Sequence, residues 1–211
     1  TPYRSSYLKQ EAKEAWNYFS KIGYPNSKNE NWRFSNPTAW LLKSGSLAVD
    51  EEELTPKDFS SHMIQGAIHI LILNDTISIP KKLPKGVRIM DMTRAKSENY
   101  SSMGTVADYH TSPFSAENTA LFQSGILITI SENKVLEKPI QLIHSIKRNK
   151  DSRIYPRIYV NVGSSSQIEI LQTEVGGDDS QHFVNSVTEV FVQENAQLKW
   201  TLMPVSYTHL T

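Results

Sequence analysis

With 211 residues the chain is long enough for one large domain or two small ones, and its 22 Lys+Arg against 22 Asp+Glu give a formal net charge of zero, which argues against a general nucleic-acid or anionic-membrane binder. There is no cysteine, so disulfides, thiolate metal sites and a cysteine nucleophile are excluded within this sequence. No apolar run approaches membrane-spanning length and Thr1-Pro2-Tyr3-Arg4 carries neither an initiator Met nor a signal-peptide pattern, so the expectation is a cytoplasmic piece of a longer chain.

Leu8, Ala12, Ala15, Trp16, Phe19 and Ile22 recur at helical spacing and predict an amphipathic helix over residues 6–22, its aromatic stripe packed into the core. Ser5 or Ser6 can cap its start, while Gly23 is a left-handed terminator and Pro25 forbids continuation. A polar turn over 26–31 leads into Trp32-Arg33-Phe34. A short helix is expected from Pro37 to Leu42, and Glu51-Glu52-Glu53 reads as a solvated acidic run, with a metal site the weaker reading.

From Gly66 the grammar becomes that of strands. Ala67 to Leu73 predicts a buried strand, Asn74-Asp75 a turn and Thr76 to Ile79 its hairpin partner, ended by Pro80. Val87 to Met90 predicts a further strand, 97–111 a loop, and Pro113 to Phe122 a short helix with proline in its first turn. Strands are then expected at Ile126 to Ile130, Val135-Leu136 and Ile140 to Ile143, followed by a solvated charged loop from Lys147 to Arg153.

The last third contains an internal echo. Ile158-Tyr159-Val160-Asn161-Val162 and Gln167-Ile168-Glu169-Ile170 return about thirty residues later as Thr188-Glu189-Val190-Phe191-Val192 and Gln197-Leu198-Lys199-Trp200. In register, Val160 meets Val190, Val162 meets Val192, Gln167 meets Gln197 and Ile168 meets Leu198. Stacked supersecondary units are expected, since neither copy can bury its apolar face alone; two antiparallel hairpins alike by chance are the other reading. Alternation stops after Met203, and 205–211 reads as a non-native tail replacing a natural continuation.

The inventory of catalytic motifs is thin. No phosphate-binding loop, dinucleotide fingerprint or nucleophile elbow occurs. Gly163-Ser164-Ser165-Ser166 aligns with Gln193-Glu194-Asn195-Ala196 and so reads as a plain turn, not an anion nest. None of the six histidines has metal-ligand spacing; His69 and His144 read as ordinary strand residues and His182, after Asp178-Asp179, as part of an exposed loop. Glu169 and Glu174 receive no acid–base role. No catalytic, cofactor-binding or metal residue is assigned.

The stretch from Gly23 to Phe34 reads G-x-P-x-x-K-x-E-x-W-[KR]-[FY] through Gly23, Pro25, Lys28, Glu30, Trp32, Arg33 and Phe34. Physically it is a clasp: glycine and proline end the helix, Glu30 can pair with Lys28 or Arg33, and Trp32 and Phe34 bury apolar area. The pattern closely resembles the N-terminal signature of the SufD family, within the SufB/SufD superfamily of SUF iron–sulfur cluster assembly scaffolds. Phe114 to Ala120 leading to Gly125, Glu137 to Leu142, Pro156-Arg157 and Asn195 to Leu198 agree in order, so the resemblance covers about residues 6–203.

The resemblance implies a mainly β fold with some α: an N-terminal helical region over 1–60, a small α/β capping region over 61–115, and the first rungs of a right-handed parallel β-helix over 116–204. It also implies a non-catalytic scaffold subunit whose partners are SufB, through a β-helix heterodimer, and the SufC ATPase, both through regions beyond about Met203. Neither nucleic acid nor membrane is implied. The iron–sulfur cluster would be assembled transiently by the whole complex and not held by this segment. A SufB-like paralogue and a carbohydrate-active or carbohydrate-binding β-helix protein are the alternatives; the clasp favours SufD.

Overall fold

The computed structural model describes residues 6–34, 37, 54–95, 102–146, 152–176 and 182–205. Helix α1 runs from Ser6 to Ile22. Gly23 ends it at φ +61°, its N–H bonded to the Phe19 carbonyl at 2.8 Å. Leu8 and Ala15 are buried on the face that packs on α2 (Pro113–Leu121), while Trp16 and Ile22 are 46% and 43% exposed. The expected core stripe is thus narrower than the sequence suggested. Leu8 and Ala15 are buried and Ala12 and Phe19 half-buried, whereas Trp16 lies against the Phe19 ring and Ile22 falls in the last turn.

Eleven strands follow among the described residues: β1 Ile68–Leu73, β2 Thr76–Ser78, β3 Val87–Asp91, β4 Gly125–Ile130, β5 Ile140–Ser145, β6 Ser152–Ile154, β7 Arg157–Val162, β8 Gln167–Val175, β9 His182–Val184, β10 Val187–Val192 and β11 Gln197–Val205. They form three sheets, ordered β11-β8-β5-β1-β2, β10-β7-β4-β3 and β6-β9. Every pairing is parallel except β1 with β2 and β3 with β4, which place antiparallel strands along one edge of the two larger sheets.

The echoing segments lie side by side in parallel, Val160 on Val190, Val162 on Val192, Gln167 on Gln197 and Ile168 on Leu198, so the hairpin reading is wrong. Alternation along each strand sends one set of side chains to an apolar interior between the sheets, built from Ile70, Ile126, Ile128, Leu142, Val160 and Ile170. The opposite set on β4 and β7, including Leu127 and Tyr159, packs outward against a second cluster with Leu8, Met92 and Phe122. At successive corners Asn133, Ser165 and Asn195 adopt φ of 56°, 58° and 56°, the same left-handed turn repeated.

Several expectations change. Val135 makes only an isolated parallel bridge to Gln167, and Leu136 is not in a strand. Ser152 and Arg153, expected as the end of a charged loop, join Ile154 in β6 because β9 pairs with them; His182 is therefore a strand residue. Pro204 and Val205 continue β11 opposite Glu174 and Val175, which proline tolerates because β11 is an edge strand. The expected helix from Pro37 to Leu42, apart from Pro37 itself, the Glu51–Glu53 run and residues 206–211 lie outside the described residues.

Candidate functional site

The clasp is built on amide turns. Asn26 accepts the Lys28 N–H at its Oδ1 (2.9 Å), and Asn29 Oδ1 accepts the Asn26 N–H (2.8 Å), leading into a 3-10 turn over Glu30–Trp32. Pro25 is buried and Lys28 exposed. Glu30 pairs with Arg33 at 3.5 Å, in solvent, where such a pair adds little. Trp32 is half-buried, its ring 5.4 Å from that of Phe114 on α2. Phe34 departs from expectation: it is 89% exposed, with the Arg33 guanidinium 4.5 Å from its ring centre.

The side chain that anchors the clasp is Tyr24. Its ring packs between Phe19 and Phe114, and its hydroxyl donates to the buried Glu117 carboxylate on α2. Glu117 Oε1 also accepts from Tyr155 (2.8 Å), Oε2 accepts from Asn185 Nδ2 (3.2 Å), and Arg153 stands 3.7 Å away. Burial first, then the neighbouring Glu117, pushes the Tyr24 phenol up; the same two causes push Tyr155 up. Both remain donors.

The next residue of α2, Asn118, reaches two successive layers, donating to the carbonyls of Pro156 (2.9 Å) and Asn185 (2.7 Å). Arg157 is fully buried and donates to Asn118 Oδ1 (3.1 Å), Thr119 Oγ1 (2.8 Å) and Glu189 Oε2 (2.8 Å). Its Nε makes no hydrogen bond, and its guanidinium lies 5.8 Å from the Phe122 ring centre. The other oxygen of Glu189 accepts from the N–H groups of Gly104 (2.7 Å) and Ala107 (3.2 Å). Glu117 to Thr119 therefore join the clasp, both repeating layers and the 102–111 loop.

A second polar group lies within the apolar interior. His144, buried on β5, contacts Glu174 Oε2 on β8 at 3.0 Å through Nδ1 and the Asn74 carbonyl at 3.2 Å through Nε2. Glu174 also accepts from Gln172 Nε2, whose Oε1 takes the Trp200 indole N–H at 3.2 Å. The cavity beside this group has a volume of about 10 Å³, room for about one water. Among the described residues no three His, Asp or Glu side chains gather as a metal site requires. Apart from Arg157 Nε, the polar groups of both clusters are engaged with one another, an arrangement suited to holding layers together.

Sequence reasoning grouped Gly23, Pro25, Lys28, Glu30, Trp32 and Arg33, and the structure keeps them in one local turn. It missed Tyr24, Glu117, Arg157 and Glu189 as a connected group. Their segments carried a signal, since Phe114 to Ala120 and Pro156-Arg157 both belonged to the family pattern.

The chain matches the family described as SufBD protein N-terminal region over residues 3–142. It belongs to the SufBD family. No curated protein matches it. The SufBD match spans α1, the clasp, β1 to β4, α2 and the start of β5, and brings with it a role in SUF iron–sulfur cluster assembly. It takes in SufB and SufD alike. The repeating strands β6 to β11 follow the matched SufBD region. Among the described residues no helix is long and apolar enough to cross a membrane.

Proposed function

We propose that the chain is the N-terminal part of a SufD-type subunit, a non-catalytic cytoplasmic scaffold of the SUF complex. In this reading its strands open a right-handed parallel β-helix, the hand general for parallel crossovers. The observation that carries the reading is the in-register parallel stacking of β7 and β8 on β10 and β11, the pattern of a layered scaffold. The Gly23 to Phe34 pattern favours SufD over SufB. SufB and the SufC ATPase are the proposed partners, through surfaces outside the described layers. With no cysteine the segment offers no thiolate to a cluster, so cluster assembly is assigned to the complex.

The test is co-expression of the full-length protein with SufB and SufC from the same source. Co-elution of all three as one complex, with ATP hydrolysis lost on mutation of SufC alone, is the expected result. A full-length protein that replaces SufB in that complex would make it the paralogue. One that joins neither partner would remove the scaffold reading.

A further inference from the structure

Although the chain is neutral overall, residues 81–88 hold Lys81, Lys82, Lys85 and Arg88 without one acidic residue. This connection between β2 and β3 faces the one between β4 and β5, and together they form a cleft of about 250 Å³. Lys85, Lys134 and Lys138 line it over a floor of Ile68, Pro84, Val135 and Leu136, with Glu137 at the side. Val135 is 65% exposed, so the floor is open to an incoming group. Among the described residues none of Lys81, Lys82, Lys85, Lys134 and Lys138 makes an ion pair.

Lys134 is set in place. Its N–H donates to Ser166 Oγ (2.9 Å) and its carbonyl accepts the Gln167 N–H (2.7 Å). Its aliphatic stem lies across Gly86: a Cβ there would stand 2.7 Å from the Lys134 Cε, and Gly86 itself sits at φ +87°. The backbone thus leaves room for a lysine stem and fixes a cation beside an apolar floor.

We propose that this cleft docks an acidic peptide segment of a partner protein, its carboxylates paired with Lys85, Lys134 and Lys138 and one apolar side chain seated on Val135 and Leu136. The volume favours a side chain over a nucleotide, since small-molecule pockets run to about 300–1,000 Å³. Nucleic acid fits less well: Glu132 and Glu137 interrupt the patch, and the neutral chain offers no extended basic track. The surface is distinct from the parallel strand edges, so it can be tested separately from the SufD assignment.

The experiment measures binding of a fluorescent Glu-Leu-Glu-Glu-Leu-Glu peptide to the full-length protein by anisotropy. Saturable, salt-sensitive binding is expected, weakened about tenfold in the triple variant Lys85→Gln, Lys134→Gln, Lys138→Gln, which removes the three charges and keeps a polar side chain at each position. The pair Lys9→Gln, Lys13→Gln on α1 leaves binding unchanged, and the Gln-Leu-Gln-Gln-Leu-Gln peptide does not bind. No binding, equal binding by the triple variant, equal binding of the glutamine peptide, or tighter binding of a short single-stranded DNA overturns the proposal. Circular dichroism of the triple variant checks its fold; if that is lost, the single variant Lys138→Gln must still weaken binding for the proposal to stand.

Discussion

Arg157 and Glu189 meet at 2.8 Å with both side chains withdrawn from solvent, tying β7 to β10 across the repeat. Burial pulls the Arg157 guanidinium down and the Glu189 carboxylate opposes that pull. Breaking such a pair leaves a dry, uncompensated charge, at about 3–5 kcal/mol. Glu189→Ala is therefore expected to lose about that much stability to urea. Replacing both, Arg157→Met with Glu189→Leu, loses less than the two single changes added together, because no lone charge remains. Hydrogen exchange would report the second consequence: the amides of Gly104 and Ala107, which Glu189 accepts, lose protection in Glu189→Ala.

Tyr24 is the link between clasp and core. Tyr24→Phe keeps the ring among Phe19 and Phe114 but removes a donor from the buried Glu117 carboxylate. A hydrogen bond to a charged group contributes about 1.5–3 kcal/mol, so a loss of that size is expected, with faster proteolysis across residues 26–34. Phe34→Ser, at a side chain 89% exposed, is expected to leave stability unchanged. Ultraviolet titration of the phenols is a further check. With both shifted upward, Tyr24 and Tyr155 do not ionise at about pH 10, where a free tyrosine does.

The echo between Val160 and Val190 was legible because alternation with period two is imposed by the pleat, and a parallel stack repeats it in register. The Gly23 stop was legible because few residues other than glycine take φ +61°. Arg157 was not legible. A strand pattern says which residues share a face, but not that α2 covers the outer face of β7, and arginine is ordinarily exposed. Phe34 failed in the opposite direction: its chemistry suggested burial, and the side chain is exposed. His144 could have been found, since it has the parity of Ile140 and Leu142, and the register puts it on Glu174.

That interior pair gives the protein an acid-side sensitivity. Burial pushes Glu174 up, but the hydrogen bond and charge of His144, with the Gln172 hydrogen bond, outweigh it and bring the carboxyl below its usual range. A carboxyl depressed on folding stabilises the native state fully above its unfolded pKa, about 4.3 for glutamate, and loses that contribution as pH falls through the lower folded value. Thermal melts should therefore show a drop below about pH 4 that is reduced in Glu174→Gln. An identical acid limb in that variant would place the sensitivity elsewhere.

The corner turns allow the repeat to be improved. Asn133 and Asn195 hold the left-handed corner at φ 56° in their layers, and asparagine tolerates that region; Ser165 holds it at φ 58° without that advantage. Ser165 is exposed, so replacing it disturbs no packing. Ser165→Asn should raise stability by about 0.5 kcal/mol and Ser165→Gly by up to about 1 kcal/mol, the glycine gain being offset by its freer unfolded chain. Two positions earlier the same corner is closed to change: a Cβ on Gly163 would lie 2.6 Å from the Glu132 nitrogen and 2.8 Å from the Ile130 carbonyl oxygen, both backbone. Gly163→Ala is expected to cost about 1–3 kcal/mol, because one strand connection must move off another. Urea midpoints for the three variants separate the effects: relief of strain at 165 raises the midpoint and crowding at 163 lowers it.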